Sequence, residues 1–125
     1  SNGLMFDMVD SQGRQIAAEY ARTRMRWEPV MEVTQVKGTS ETHPALSAND
    51  EFADFEIRSK LLAGQSAVPA EGAYARSALL RGLQVEGLTG VNPYKFGLIG
   101  STDSHTGLSS TEESNFYGKM ANDSL

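Results

Sequence analysis

Two short stretches set the terms on which this chain can fold: VMEVTQVKG, residues 30–38, and YKFGLIGS, residues 94–101. The first alternates and is rich in β-branched residues. Val30, Glu32, Thr34 and Val36 point one way, Met31, Val33, Gln35 and Lys37 the other, and Gly38 ends the strand. The second carries Phe96, Leu98 and Ile99 without alternation, the pattern of a strand buried on both faces, as parallel strands are. Such a strand needs neighbours beside it and layers above and below it. Helical crossovers supply those layers when strands run parallel.

The intervening sequence contains the helices. Ile16, Ala17, Tyr20, Ala21, Arg24 and Trp27 fall near a 3.6 period, so a helix over 15–28 ends before Pro29. Arg14, Arg22, Arg24 and Arg26 in or beside it read as solvated, salt-bridged residues. The longest helix is expected over 71–90, with Tyr74, Ala78, Leu79, Gly82, Leu83 and Val85 as its apolar stripe and Gly87 or Gly90 as its stop. Gly82 inside a helix costs about 1 kcal/mol against Ala, which points to close packing there. Ser47, three residues before Asp50 and four before Glu51, predicts a short helix around 48–57 with Phe52, Phe55 and Glu56 at helical spacing. Ser109 with Glu112, and Ser110 with Glu113, form two overlapping capping boxes that would start a last helix. Asp10, Ser11 and Gly13 punctuate a turn, and 58–70 reads as a connector. The order is helix, strand, helix, helix, strand, helix, an α/β class. Two strands make a poor sheet, so either more strands lie in the connectors or the chain is a slice of a larger sheet or barrel.

Composition excludes several kinds of function. At 125 residues the chain is the size of one domain. Its net charge of -5 argues against non-specific nucleic-acid or anionic-membrane binding. No apolar run approaches the ~20 residues of a membrane helix. With no cysteine, disulfides, thiolate metal sites and thiol nucleophiles are absent. There is no Gly-x-Ser-x-Gly elbow and no Gly-rich phosphate loop ending in Lys-Ser/Thr. The two histidines, His43 and His105, limit metal chemistry: a site built from this chain alone would need both, with carboxylates.

Both histidines follow a predicted strand, where α/β folds place their sites. Asp103 and His105 follow the second strand in GSTDSHTG; Glu41 and His43 follow the first. If the strands are parallel, both loops open at one end of the sheet. Carboxylate oxygen and imidazole nitrogen suit Zn, Mn or Fe. On spacing alone an ordinary polar loop serves equally well, with Asp103 capping backbone N–H groups. Lys37 at the strand end either meets a phosphate or carboxylate or is simply solvated.

The motif GLIGSTDSHTG resembles the late metal-binding motif of the PHP family of metal-dependent phosphoesterases, in which a strand runs into Gly-Ser-Asp-x-His and the Asp and His bind metal. MEVTQVKG is similar to that family's Glu-Val/Ile-x-Asn strand. The extra Thr102 in GSTDSH departs from the pattern. A closer resemblance covers nearly the whole chain: SNGLMFD, EYARTRMRWEPVMEVTQVKGTSETHP, NDEFADFE and NPYKFGLIGSTDSHTGLSSTEESNFYGK look like one uncharacterised bacterial family of domains of unknown function. Its members are several times longer, often carry an export signal, and resemble PHP-like hydrolases with a His-x-His motif far upstream.

These resemblances imply a partial parallel β/α unit, a slice of a distorted TIM-like barrel of PHP type. Residues 1–125 would be a single segment from the C-terminal side of a larger metal-dependent hydrolase-like domain. Asp103 and His105 would be the metal ligands, for Zn, Mn or Fe; His43 is a further candidate ligand and Glu41 its neighbour, in a loop that matches the closer family but has no PHP ligand counterpart. Glu32 and Glu41 would orient substrate or accept a proton, and Lys37 would meet substrate charge. A small-molecule or phosphoester substrate, the remainder of the parent chain as partner, and an exported or periplasmic location follow from the same source. No His-x-His occurs in this sequence, so the isolated segment would be inactive or nearly so. The competing reading is a non-catalytic α/β segment, structural or oligomerising, whose copies cover each other's strand edges.

Overall fold

The computed structural model describes residues 4–35, 38–59, 66, 69–107, 112–116, 118 and 119. They form a mixed α/β arrangement of two helices and a small three-stranded sheet. In order these are α1 (Ala18–Trp27), β1 (Val30–Gln35), β2 (Gly38–Thr39), α2 (Ala75–Thr89) and β3 (Gly97–Gly100), with short 3-10 turns at Glu71–Ala73 and Glu113–Asn115.

Both long helices lie where the 3.6 periodicity puts them. In α1, Glu19 stands in the first turn and Arg24 and Arg26 in the last, each sign complementing the helix dipole. In α2 no side chain caps the N-terminus. The N–H groups of Ala75 and Arg76 donate instead to the carbonyls of Ser40 (2.9 Å) and Glu41 (3.1 Å), which ties the loop after β2 to the helix start. Gly90 closes the helix in the left-handed region, φ 75°, with its N–H on Glu86 O at 2.7 Å.

The packing face of α2 differs from the expected stripe. Ala75, Ala78, Gly82 and Val85 are buried, whereas Leu79, Leu80, Leu83 and Leu88 are exposed. The cause is a close approach. A Cβ on Gly82 would lie 2.2 Å from Asn92 Oδ1, so the segment Asn92–Tyr94 comes near enough to admit only small residues. Asn92 is itself buried and accepts the Tyr94 N–H at 2.9 Å.

That segment belongs to the core. Phe6, Ile16, Ala21, Met31, Ala75, Ala78, Val85 and Tyr94 form one buried cluster. The Phe6 and Tyr94 rings meet edge to face at 5.4 Å. The Tyr94 hydroxyl donates to Asp7 O and accepts from Arg24 Nη1 at 3.1 Å. Burial pushes the Tyr94 phenol up from its ordinary value. The Phe6 N–H donates to Gly72 O and Arg81 Nη1 donates to Phe6 O, both at 2.8 Å, so the N-terminal segment is fastened to the 3-10 turn before α2 and to the middle of that helix.

The sheet order is β2-β1-β3. The expected parallel pairing holds: Val30, Met31 and Glu32 lie beside Gly97, Leu98 and Ile99. An irregularity then puts Thr34 opposite Gly100, and the strict alternation read from the sequence breaks at Val33. Gly38 does not end a strand but opens β2, antiparallel to β1. Its φ of +93° and the carbonyl of Glu56, 2.6 Å from where a Cβ would sit, leave room for glycine alone.

Three further expectations change. β3 is not buried on both faces: Leu98 is 50% and Ile99 48% exposed, because among the described residues β1 is its one neighbour. Residues 48–56 form turns rather than a helix. The Asp50 carboxylate accepts the Phe52 N–H at 2.9 Å, Ser47 Oγ pairs with Thr42 Oγ1 at 2.7 Å instead of capping, and Phe52 and Phe55 stay exposed. Of the expected last helix, Glu113–Asn115 is a 3-10 turn; Ser109 and Ser110 lie outside the described residues. No helix among the described residues is long and apolar enough to cross a membrane.

Candidate functional site

The loop after β3 begins where the Ser101 N–H donates to Thr34 O at 3.0 Å, the last rung between β1 and β3. Asp103 then takes up the left-handed region, φ 54°, a conformation that short polar Asp tolerates better than most residues. Ser104 Oγ lies 2.9 Å from Thr106 Oγ1 and donates to Gly118 O at 3.4 Å. The His105 N–H donates to Lys119 O at 2.7 Å. Loop and the 118–119 segment are thus joined through backbone groups.

These constraints bring the two expected ligands together. His105 Nε2 lies 3.1 Å from Asp103 Oδ1. A third group joins them that sequence reasoning missed: Lys119. Its ammonium donates to Asp103 Oδ2, to Asp103 O at 3.1 Å, and lies 3.1 Å from His105 Nε2. Asp103 and Lys119 are mostly shielded and His105 is about half exposed. Nothing in local spacing marks a residue 14 positions after His105. The one available signal was the long family-like run NPYKFGLIGSTDSHTGLSSTEESNFYGK, which ends on Lys119.

The other expected site residues stand apart. Glu41 is engaged by Arg76, whose Nε and Nη2 donate to Oε1 at 3.0 and 2.6 Å, while Nη1 donates to Asp50 Oδ2 at 2.5 Å. The Phe52 N–H, and then Arg76, hold the Asp50 carboxyl below its ordinary value; Glu41 and Asp50 raise that of Arg76. His43 Nδ1 accepts the Ala45 N–H at 3.1 Å, and its ring lies 6.1 Å from that of Tyr74. Glu32 accepts from Gln35 Nε2 at 3.1 Å and faces a cavity of about 470 Å³ that Arg24, Glu28, Ser40 and Phe96 also line. Lys37 lies outside the described residues. The four predicted arginines divide: Arg14 and Arg24 are salt-bridged, to Asp10 and Glu28, and Arg22 and Arg26 are exposed.

The donor chemistry at Asp103 and His105 suits a divalent cation in part. A carboxylate oxygen, a carbonyl oxygen and an imidazole nitrogen converge, and all three are ligands for Zn, Mn or Fe. Among the described residues, however, no three His, Asp or Glu side chains gather where one ion would bind. The described residues therefore bring one carboxylate and one imidazole together around a lysine.

The family described as Protein of unknown function (DUF3604) matches residues 1–124. The chain belongs to that family. No curated protein matches it, and no solved structure does. The DUF3604 match spans the Tyr94 core and the Asp103 loop together, so both are parts of one family unit.

Proposed function

We propose that this chain forms part of a larger metal-dependent hydrolase-like domain, in which Asp103 and His105 are two ligands of a divalent ion completed by residues beyond those described. One observation carries the reading: the side-by-side carboxylate and imidazole, 3.1 Å apart, on the loop that leaves the carboxyl end of a parallel strand. The resemblance of GLIGSTDSHTG to the PHP motif supports it, and with it the barrel-slice architecture and a phosphoester or related substrate.

A divalent ion held there would supply Lewis acidity toward a substrate oxygen. This chain's own residues do the rest. Asp103 and His105 orient the donor atoms, and the backbone link from His105 to Lys119 fixes the loop that carries them. Glu41 serves as scaffolding, because its carboxylate already accepts two N–H bonds from Arg76. Glu32 lines a separate cavity and accepts from Gln35 Nε2, so its carboxylate would meet a polar part of a substrate only there. The second reading, a non-catalytic structural segment, is favoured by one specific fact: Lys119 already neutralises Asp103.

Metal analysis of the longer protein separates the two. The hydrolase-like reading expects Asp103→Ala and His105→Ala each to lower bound metal and hydrolysis of a generic phosphoester. Unchanged metal content in both variants leaves the structural reading standing.

A further inference from the structure

The cavity beside β1 has a charge balance of its own. Among the described residues, three ionisable side chains line it: Arg24, Glu28 and Glu32. Arg24 is already engaged. Its Nε and Nη2 donate to Glu28 Oε2 at 2.7 and 2.5 Å, and its Nη1 donates to the Tyr94 hydroxyl at 3.1 Å. Its guanidinium also lies over the Tyr94 ring, 4.9 Å from the centre. Glu32 has no basic partner among the described residues, and the group that donates to it, at 3.1 Å, is the neutral Gln35 amide. Arg24 and Glu28 cancel, so the Glu32 carboxylate leaves the lining with one uncompensated negative charge. An anionic ligand would meet that charge and a guanidinium already paired. A cationic ligand would meet a carboxylate with room for a stronger donor.

Much of the remaining lining is apolar. Phe6 and Met31 belong to the buried core, and Phe96 packs against it, with the Phe6 and Phe96 ring centres 5.4 Å apart. The volume of about 470 Å³ falls within the range of small-molecule pockets. We propose that this cavity binds a small organic cation, an amine on an apolar body, whose ammonium pairs with Glu32 while its hydrocarbon part lies against Phe6, Met31 and Phe96. The apolar wall contributes twice: it buries the hydrocarbon, and it lowers the local dielectric in which ammonium and carboxylate attract. Neither Asp103 nor His105 lines the cavity, so the inference does not rest on reading those residues as metal ligands.

Isothermal titration calorimetry of the longer protein with n-hexylamine, methylamine and hexanoate tests this. n-Hexylamine is expected to bind at least about tenfold more tightly than methylamine, which lacks the hydrocarbon, and than hexanoate, which reverses the charge. Absent n-hexylamine binding overturns the proposal. Equal binding of hexanoate overturns it through the charge, and equal binding of methylamine through the apolar wall. This series uses the unaltered protein, so it decides even where a variant does not fold. Glu32→Gln keeps the side-chain shape and removes its charge. It is expected to weaken n-hexylamine binding by about tenfold, while Asp103→Asn leaves it unchanged. Full affinity in Glu32→Gln, or a loss in Asp103→Asn, puts the amine elsewhere and overturns the proposal. Bound metal is a separate readout, so this inference and the metal reading of Asp103 and His105 fail independently.

Discussion

Strand β3 leaves one kind of environment and enters another. On its amino side, Asn92–Tyr94 is buried, and Tyr94 is 1% exposed among Phe6, Arg24 and Asp7. On its carboxyl side, Thr102–Thr106 has no buried apolar side chain and is held by hydroxyls, backbone carbonyls and one ammonium. The first region fixes where the strand runs, because packed apolar contacts and small residues permit few alternatives. The second fixes which polar atoms face one another, by hydrogen bonds and one ion pair rather than by packed apolar contacts. Sites are commonly built on polar loops carried by a packed support.

The largest test of this contrast is at Tyr94. Tyr94→Ala is expected to destabilise the chain by about 3–5 kcal/mol in urea denaturation, through the lost ring packing and the unpaired Asp7 carbonyl. Gly82→Ala comes next. Helix propensity favours alanine by about 1 kcal/mol, but the added Cβ collides with Asn92, which is held in place by its bond to the Tyr94 N–H. A net loss of about 1–3 kcal/mol is expected, and a gain would show that the Asn92 segment yields easily.

The loop should respond differently. Lys119→Met is expected to change global stability by less than about 1 kcal/mol, yet to speed amide hydrogen exchange within residues 103–106. A large drop in global stability would mean that the loop is part of the support rather than carried by it.

The smallest effects are electrostatic. The Arg14 side chain lowers the pKa of Asp10, and the Phe52 N–H and then Arg76 lower that of Asp50, from an ordinary value of 3.8. Because the folded values are depressed, the stability each contributes is complete above the ordinary value and is lost as pH falls through the lower folded one. Thermal midpoints should therefore decline below about pH 4, and Asp50→Asn should flatten that decline. The charge change lies in the turn beside Glu41, so hydrogen exchange in the Asp103 loop should not follow it.

Much of the scaffold was legible. The period of α1 and α2, a glycine stop at Gly87 or Gly90 (the structure takes Gly90), the parallel relation of the two strands and the tight packing at Gly82 all follow from patterns contained in a few residues or from the rules of β/α connection. Asp103 and His105 were legible as a pair, because a spacing of two on a short loop keeps side chains near each other. Against the expected 48–57 helix stand one local bond and one distant bond that propensity does not weigh: Asp50 accepts the backbone N–H two residues on and is held by Arg76, 26 residues away.

The sequence by itself determined the α/β class, the two helices, the parallel strand pair and a carboxylate–imidazole pair after the second strand, since each depends on short-range periodicity or spacing. Only the tertiary structure decided that α2 packs through its small residues, that Glu41 serves Arg76, and that Lys119 stands between Asp103 and His105. Those outcomes depend on which distant segments meet, and pairing across tens of residues leaves no local pattern in the chain.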